Sequence, residues 1–190
     1  VADTHYFADP DHADADAVAE FPSRRVQGER AAAVWQTIAD LDPAFIVHMG
    51  DLVQEYPGRP DFDRAQQEAL AQIDAVGLRD RIHFVAGNHD VGDKPDPTMP
   101  THAVTEQDLT VHEVRFGSTY AQWQHGGLRF ASLNSQILNT NLPAAGQQQA
   151  WLEELLNEDD DNLILFLHLP LYLRDAQDPH LGHYDTVAEP

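Results

Sequence analysis

Short apolar runs that end in residue types able to bind metal ions recur along this 190-residue chain. The runs are residues 1–5, ending in Asp-Thr-His; residues 45–51, ending in Gly-Asp; residues 82–90, ending in Gly-Asn-His-Asp; and residues 163–168, ending in His. Apolar runs of this length are typical of buried strands, and a glycine lets the chain turn sharply where a strand ends. The pattern therefore predicts four strands that bring Asp, His and Asn side chains to one shared metal-binding edge.

The segments between the first strands favour a parallel sheet. A helix is predicted from Ser23, which can cap it, to about Leu41, because apolar residues recur there at helical spacing. A second helix is predicted over residues 61–76, ahead of the strand at residues 82–86. Two strands joined through a helix form a βαβ unit, in which the strands run parallel.

The second half of the chain predicts a hairpin and a further helix. Residues 118–124 and 128–134 are predicted to pair as antiparallel strands around a Gly-Gly turn. Residues 147–157 are predicted to form an amphipathic helix. Asn134 and Ser135, at the end of the hairpin, are either groups that face the site or parts of a plain turn.

Residues 91–112 contain three prolines and are predicted to form a long loop that begins at the site. His102 and His112 belong to this loop, so we expect them to be solvated or to approach a substrate. His48 and His83 lie inside predicted strands, and we expect them to pack there rather than to bind metal.

The charge balance excludes some partners. The chain has 11 basic and 32 acidic residues, which gives a net charge of −21 with neutral histidines. Nucleic acid is not an expected partner, because binding a phosphate backbone requires a basic surface. There are no cysteines, so disulfides and thiolate ligands are excluded.

No apolar run approaches the ~20 residues that a membrane span needs. With no signal peptide visible, a cytoplasmic location is expected, and a leader missing ahead of Val1 stays possible.

The residue types at the four strand ends suit two hard divalent ions. Carboxylate, amide and imidazole ligands without thiolates are typical of manganese, iron or zinc sites. A carboxylate can bridge two ions, and Asp51 is the natural bridge because Gly50 beside it allows close approach. We expect one ion to be held by Asp3 and His5 and the other by Asn88 and His168. Such a pair would clamp a phosphate and lower the pKa of a shared water.

His89 is a candidate proton donor rather than a ligand. Its place beside the metal pair would allow it to protonate a leaving alkoxide, and Asp90 would orient its ring.

These segments, in this order, resemble the calcineurin-like metallophosphoesterases. Residues 133–136 (Leu-Asn-Ser-Gln), 149–152 (Gln-Ala-Trp-Leu) and 168–171 (His-Leu-Pro-Leu) resemble the branch of serine/threonine phosphatases with such a domain and their bacterial relatives. The resemblance implies a four-layer α/β/β/α sandwich, a dinuclear metal centre and hydrolysis of phosphate esters by a metal-bridging hydroxide. It implies these roles: Asp3 and His5 on the first metal, Asp51 bridging, Asn88 and His168 on the second metal, and His89 with Asp90 assisting the phosphate.

One departure from the family pattern concerns its last motif, Gly-His-x-His. Residues 182–185 (Gly-His-Tyr-Asp) match only its first half, and 14 residues separate His168 from His183. That spacing is too short for the crossover helix and returning strand that the fold requires. We therefore expect residues 1–190 to form a single domain that stops short of the last ligands, unless a swapped partner chain supplies them.

Three functions remain open on the sequence alone. The leading one is a phosphatase acting on phosphomonoesters, either of small molecules or of phosphoproteins. A phosphodiesterase would use the same two-metal centre with a pocket that admits a second ester arm. A non-catalytic scaffold on this fold would explain the missing last motif, but it would have no use for His89 and Asp90. The oligomeric state is not predicted.

Overall fold

The computed structural model describes residues 1–8, 22–96, 102–157, 162–175 and 187. Residues 182–185, the partial match to the last family motif, lie outside the described residues. The helices are α1 (Gln27–Leu41), α2 (Phe62–Ala75), α3 (Asn88–Val91), α4 (Glu106–Phe116) and α5 (Pro143–Leu156). The strands are β1 (Ile46–His48), β2 (Ile82–Phe84), β3 (Ala121–His125), β4 (Leu128–Ser132) and β5 (Leu163–Phe166). Short 3-10 turns at Pro22–Val26 and Arg79–Arg81 precede α1 and β2.

The first sheet confirms the predicted βαβ unit. Strands β1 and β2 are parallel, with Ile46 opposite Ile82. Helices α1 and α2 cover one face of this sheet, and Trp35 of α1 and Ile73 of α2 are buried with Ile46 in one apolar cluster. Burial of these side chains is the main source of stability on this side of the fold.

His48 packs inside β1 as predicted. Its ring lies 5.8 Å from the Trp35 ring, between centroids, and its Nε2 donates to the Thr4 hydroxyl at 3.1 Å. The Thr4 hydroxyl in turn donates to the Leu52 carbonyl. Burial lowers the pKa of His48 to about 4, so the ring is neutral at neutral pH.

The second sheet contains the predicted hairpin. Strands β3 and β4 are antiparallel, with Trp123 opposite Phe130, and β5 lies parallel to β4. The two sheets pack through aromatic rings: Trp123 stacks on His83 of β2 at 3.9 Å between centroids. Phe45, just ahead of β1, contacts Phe130 at 5.1 Å.

Helix α5 covers the outer face of the second sheet. Arg129 and Phe130 point to opposite faces of β4 because side chains alternate along a strand. Phe130 faces the first sheet, whereas the Arg129 guanidinium donates to the Leu155 carbonyl of α5 at 3.1 Å. The order of layers is therefore helices, sheet, sheet, helix, which is the predicted α/β/β/α sandwich.

The prediction of a loop through residues 91–112 was wrong in its second half, where α4 begins. Thr105 caps this helix, its hydroxyl accepting from the backbone N–H of Asp108 at 3.2 Å. The prolines lie earlier in the segment and do not interrupt the helix, and the Thr-x-x-Asp start signal was missed. His112 is buried in α4 against Phe116, not solvated as expected.

Helix α5 begins at Pro143, four residues before the predicted start, because proline is favoured in the first turn of a helix. None of the helices in the described ranges is long and apolar enough to cross a membrane.

Replacement of His112 by leucine should stabilise the fold. Both ring nitrogens of His112 are buried without a hydrogen-bond partner among the described residues, and burial lowers its pKa to about 4. Removing such unsatisfied groups should raise the free energy of unfolding by about 1–3 kcal/mol at pH 7.5.

The difference between His112→Leu and the original chain should grow as pH falls from about 6.5 towards 4, since only the unfolded imidazole takes up a proton in that window. Urea unfolding at several pH values measures both effects, with the exposed His125→Leu as control. A less stable variant would show that the His112 ring has a partner that holds it.

Candidate metal centre

The first residues of the chain run beside the segment that follows β1. The backbone N–H of Asp3 donates to the Gly50 carbonyl and that of His5 to the Asp51 carbonyl, both at 3.0 Å. Asp3, His5 and Asp51 have positive φ angles of 53°, 43° and 57°. Backbone in this region is strained for residues other than glycine and clusters at functional sites. With this backbone conformation, the side chains of the three residues lie close to one another.

The Asp51 carboxylate lies at the centre of the cluster and is buried. Its Oδ1 accepts from the backbone N–H of His89 at 3.0 Å. Its Oδ2 lies 3.6 Å from His5 Nε2 and 3.5 Å from His168 Nε2. Asp51 thus lies close to both His5 and His168, which are far apart in the sequence.

Two groups of potential ligands share Asp51. One comprises Asp3, Asp51 and His168 and the other His5, Asp51 and His89, and within each group the ligand atoms lie within 4.8 Å of one another. The grouping differs from the expected one, in which Asp3 accompanied His5, although the Asp3 carboxylate is also 3.7 Å from His5 Nε2. The shared position of Asp51 suits a bridge between two ions.

Two glycines make room for this cluster. A Cβ on Gly87 would overlap Asp51 Oδ1, yet Gly87 has an ordinary extended backbone with φ −100°. Gly87 is therefore needed for space rather than for the sharp turn that the sequence suggested. Gly50 combines a φ of 98° with close approach, because its Cβ would lie 2.7 Å from His168 Nδ1.

The contacts of His168 suit a bound cation. Its Nδ1 donates to the Met49 carbonyl at 2.8 Å, so in a neutral ring Nε2 carries no proton. Nε2 faces Asn88 Oδ1 at 3.0 Å, while Asn88 Nδ2 donates to the Tyr56 hydroxyl at 2.8 Å. Two acceptors directed at each other repel unless a positive charge, either a metal ion or a proton on Nε2, lies between them.

The electrostatics of the carboxylates support the same conclusion. Burial, together with the charge of Asp90, raises the pKa of Asp51 to about 8. The neighbouring His5 ring, whose Nε2 lies 3.7 Å from Asp3 Oδ1, lowers the pKa of Asp3. A buried carboxylate beside a second one needs positive charge nearby to remain ionised. Carboxylate, amide and imidazole donors with no thiolate fit divalent manganese, iron or zinc.

Asp90 does not orient His89, and that part of the sequence interpretation is corrected. Asp90 Oδ2 accepts from the backbone N–H groups of Asp51 at 2.8 Å and Gly87 at 2.9 Å, and Oδ1 accepts from that of Leu52 at 3.2 Å. Asp90 therefore fastens the segment after β1 to the segment after β2.

The ring of His89 is held by other residues. Its Nδ1 donates to the Gln54 carbonyl at 2.6 Å, which leaves Nε2 without a proton in the neutral ring. Burial lowers the pKa of His89 to about 4. The ring packs against His5, with centroids 4.7 Å apart, and against Tyr56, with centroids 4.2 Å apart.

Sequence reasoning left the role of Ser135 open, and the structure assigns it a supporting contact. The buried Ser135 hydroxyl accepts from the backbone N–H of Leu169 at 2.9 Å. This bond holds the chain directly after His168. Tyr56 was missed altogether, because no motif contains it.

The sandwich and its strand-end cluster of Asp, His and Asn define a protein of the metallophosphoesterase class. The family model for calcineurin-like phosphoesterases matches residues 1–188, and the chain belongs to this family.

The curated relatives carry a common name. Serine/threonine-protein phosphatase CPPED1 of Mus musculus is 31% identical over 154 residues, which cover 76% of this chain and 46% of the mouse protein. The CPPED1 of Danio rerio is 31% identical over 156 residues, covering 77% of this chain and 48% of the fish protein. The chain thus spans about half the length of these relatives.

A solved structure shows the same fold. The crystal structure of a dimetal phosphatase from Danio rerio superposes with a TM-score of 0.56, covering 90% of this chain and 69% of that one at 15% identity.

Replacement of Gly87 by alanine should dismantle the metal centre. The new methyl group would displace the Asp51 carboxylate, so manganese binding measured by isothermal titration calorimetry should be lost. Overpacking should also lower the free energy of unfolding by roughly 1–3 kcal/mol.

The matched control for Gly87→Ala is Gly146→Ala in α5, where an added methyl group meets nothing within 4 Å. It should stabilise the helix by roughly 0.5–1 kcal/mol and leave metal binding intact. Unchanged manganese affinity in Gly87→Ala would contradict the placement of Asp51 in the site.

Proposed function

We propose that this chain is a metal-dependent phosphoesterase that hydrolyses phosphomonoesters. The observation that carries the proposal is the single buried carboxylate of Asp51, shared by two groups of potential ligands. The relatives, a serine/threonine-protein phosphatase and a dimetal phosphatase, support the same activity. The substrate would be a phosphate ester of a small molecule or of a protein.

Five residues would hold the ions. Asp3 and His5, whose Oδ1 and Nε2 lie 3.7 Å apart, would bind one ion, although Asp3 also lies within reach of His168. Asn88 and His168, whose Oδ1 and Nε2 lie 3.0 Å apart, would bind the other ion, and Asp51 would bind both. Two divalent ions bound there would supply positive charge to the phosphate and lower the pKa of a bound water. In a chain with a net charge of −21, this local positive charge is what would attract an anionic substrate.

The protein's own groups would prepare the site and move a proton. Asp90, through its three backbone hydrogen bonds, keeps Asp51 at its place between the strand ends. His89 presents Nε2 beside Asp51 while Nδ1 is held by the Gln54 carbonyl. We assign to Nε2 the transfer of a proton to the leaving alkoxide, with the phosphate's negative charge favouring the protonated ring.

Phosphodiesterase activity is the second candidate, because the same two-metal centre attacks diesters where a pocket admits a second ester arm. A cleft of about 380 Å³ lies between the loop that begins at Pro57 and α4, and its polar groups include Arg59, Asp63 and Gln107. None of the proposed metal ligands lines this cleft, and it is our candidate for the second arm. Comparison of p-nitrophenyl phosphate with bis(p-nitrophenyl) phosphate decides between the two activities. Turnover of neither, with manganese bound, would leave the scaffold function.

Replacement of Asp51 by asparagine tests the proposal directly. The variant keeps the shape of the side chain but removes the shared charge, so it should lose manganese binding and p-nitrophenyl phosphate turnover. The loss should exceed the roughly 10–100-fold effects typical of changes outside the ligand set. Manganese content by elemental analysis and initial rates are the measurements.

Asp80→Asn, at an exposed position, is the matched control for Asp51→Asn and should behave as the original chain. Full turnover by Asp51→Asn would refute the two-metal function.

Replacement of His89 by alanine should separate chemistry from metal binding. Manganese content should stay close to that of the original chain, whereas kcat should fall. The fall should reach roughly 10²–10⁴-fold for phenyl phosphate, which needs a proton for its leaving group. It should be much smaller for p-nitrophenyl phosphate, whose leaving group is stable without one.

The exposed His125→Leu serves as the histidine control for this experiment. Loss of one ion from His89→Ala would instead make His89 a ligand, as its grouping with His5 and Asp51 also allows.

A further inference from the structure

Tyr56 contacts two residues of the proposed centre at once. Its hydroxyl accepts from Asn88 Nδ2 at 2.8 Å. Its ring lies against the His89 ring, with centroids 4.2 Å apart and planes inclined by 37°. Asn88 is a proposed ligand and His89 the proposed proton donor, so a single side chain links metal binding to proton transfer.

We infer that Tyr56 is a positioning residue for both groups: its hydroxyl orients the Asn88 amide for metal binding, and its ring sets the plane of the His89 imidazole. The inference rests on the proposed function and extends it to a residue outside the family's motifs.

The hydroxyl acts through the orientation of the amide. Asn88 can bind a cation only through Oδ1, so Nδ2 must point away and find an acceptor. The Tyr56 hydroxyl is that acceptor, and it leaves Oδ1 facing His168 Nε2 at 3.0 Å. Without the hydroxyl, rotation of the amide by 180° would place Nδ2 against His168 Nε2 as a donor. That arrangement would give Nδ2 a hydrogen-bond acceptor, but it would turn the nitrogen, which cannot bind a cation, towards the metal.

The ring acts through packing. The His89 imidazole contacts the rings of Tyr56 and His5, and its Nδ1 donates to the Gln54 carbonyl. These three contacts leave the ring little freedom to rotate, so Nε2 stays directed at the Asp51 side of the site. Loss of the Tyr56 ring would remove the closer of the two ring contacts that restrain the imidazole.

Two substitutions separate these contributions. Tyr56→Phe removes the hydroxyl and keeps the ring, whereas Tyr56→Leu removes both. Tyr120→Phe is the matched control, because Tyr120 packs on Trp151 on the far side of the second sheet. Thermal melts of the metal-free variants check that each one folds.

The test measures manganese affinity by calorimetry on metal-stripped protein, and p-nitrophenyl and phenyl phosphate turnover as a function of manganese concentration. Tyr56→Phe should bind one manganese ion about tenfold more weakly, as is typical when a partner of a metal ligand is removed. Saturating manganese should restore its kcat. Tyr56→Leu should show the same loss of affinity and, in addition, a kcat for phenyl phosphate about tenfold lower that manganese does not restore.

The outcomes distinguish this inference from the proposed function. If the original chain binds manganese and turns over substrate, but Tyr56→Phe matches Tyr120→Phe in affinity, the role of the hydroxyl is overturned and the function stands. A normal kcat for Tyr56→Leu at saturating manganese overturns the role of the ring. Absence of manganese binding in the original chain overturns the function and this inference together.

Discussion

The structure depends on the carboxyl group of Asp51, which is buried where three parts of the chain meet. Burying a carboxylate without compensation costs several kcal/mol, so the surroundings must supply positive charge or hydrogen-bond donors. The backbone N–H of His89 supplies one donor. His5 and His168 approach the other oxygen at 3.5–3.6 Å. Bound cations would provide the remaining compensation, so metal binding would also stabilise the fold.

A second carboxylate makes this arrangement possible. Asp90 is bound by the backbone N–H groups of Asp51, Leu52 and Gly87, so it ties together the segments that follow β1 and β2. Its role is structural, and it explains why the motif ends in a carboxylate even though His89 is held by the Gln54 carbonyl. The two neighbouring acidic residues therefore have different roles. Asp90 is held by three backbone N–H groups, whereas Asp51 faces His5 and His168.

Most of the fold could be predicted because its signals are local. Apolar strands, helical spacing and the Gly-Gly turn specify the βαβ unit and the hairpin within short windows of sequence. The start of α4 was also encoded locally, in the Thr-x-x-Asp cap at Thr105, but its weak apolar pattern and the prolines ahead of it obscured the signal. The wrong expectation that His112 would be solvated followed from the same error, since a helix packed on the core has an inner face.

The sequence by itself determined which residue types would gather at the strand ends, because parallel strands place their ends at one edge. Only the tertiary structure decided which atoms would face each other. The grouping of Asp3 with His168, 165 positions later, and the contacts of Tyr56 with Asn88 and His89 depend on packing between distant segments. Gly87 illustrates the distinction: its backbone is ordinary, and its lack of a side chain is required only because Asp51 arrives from another strand.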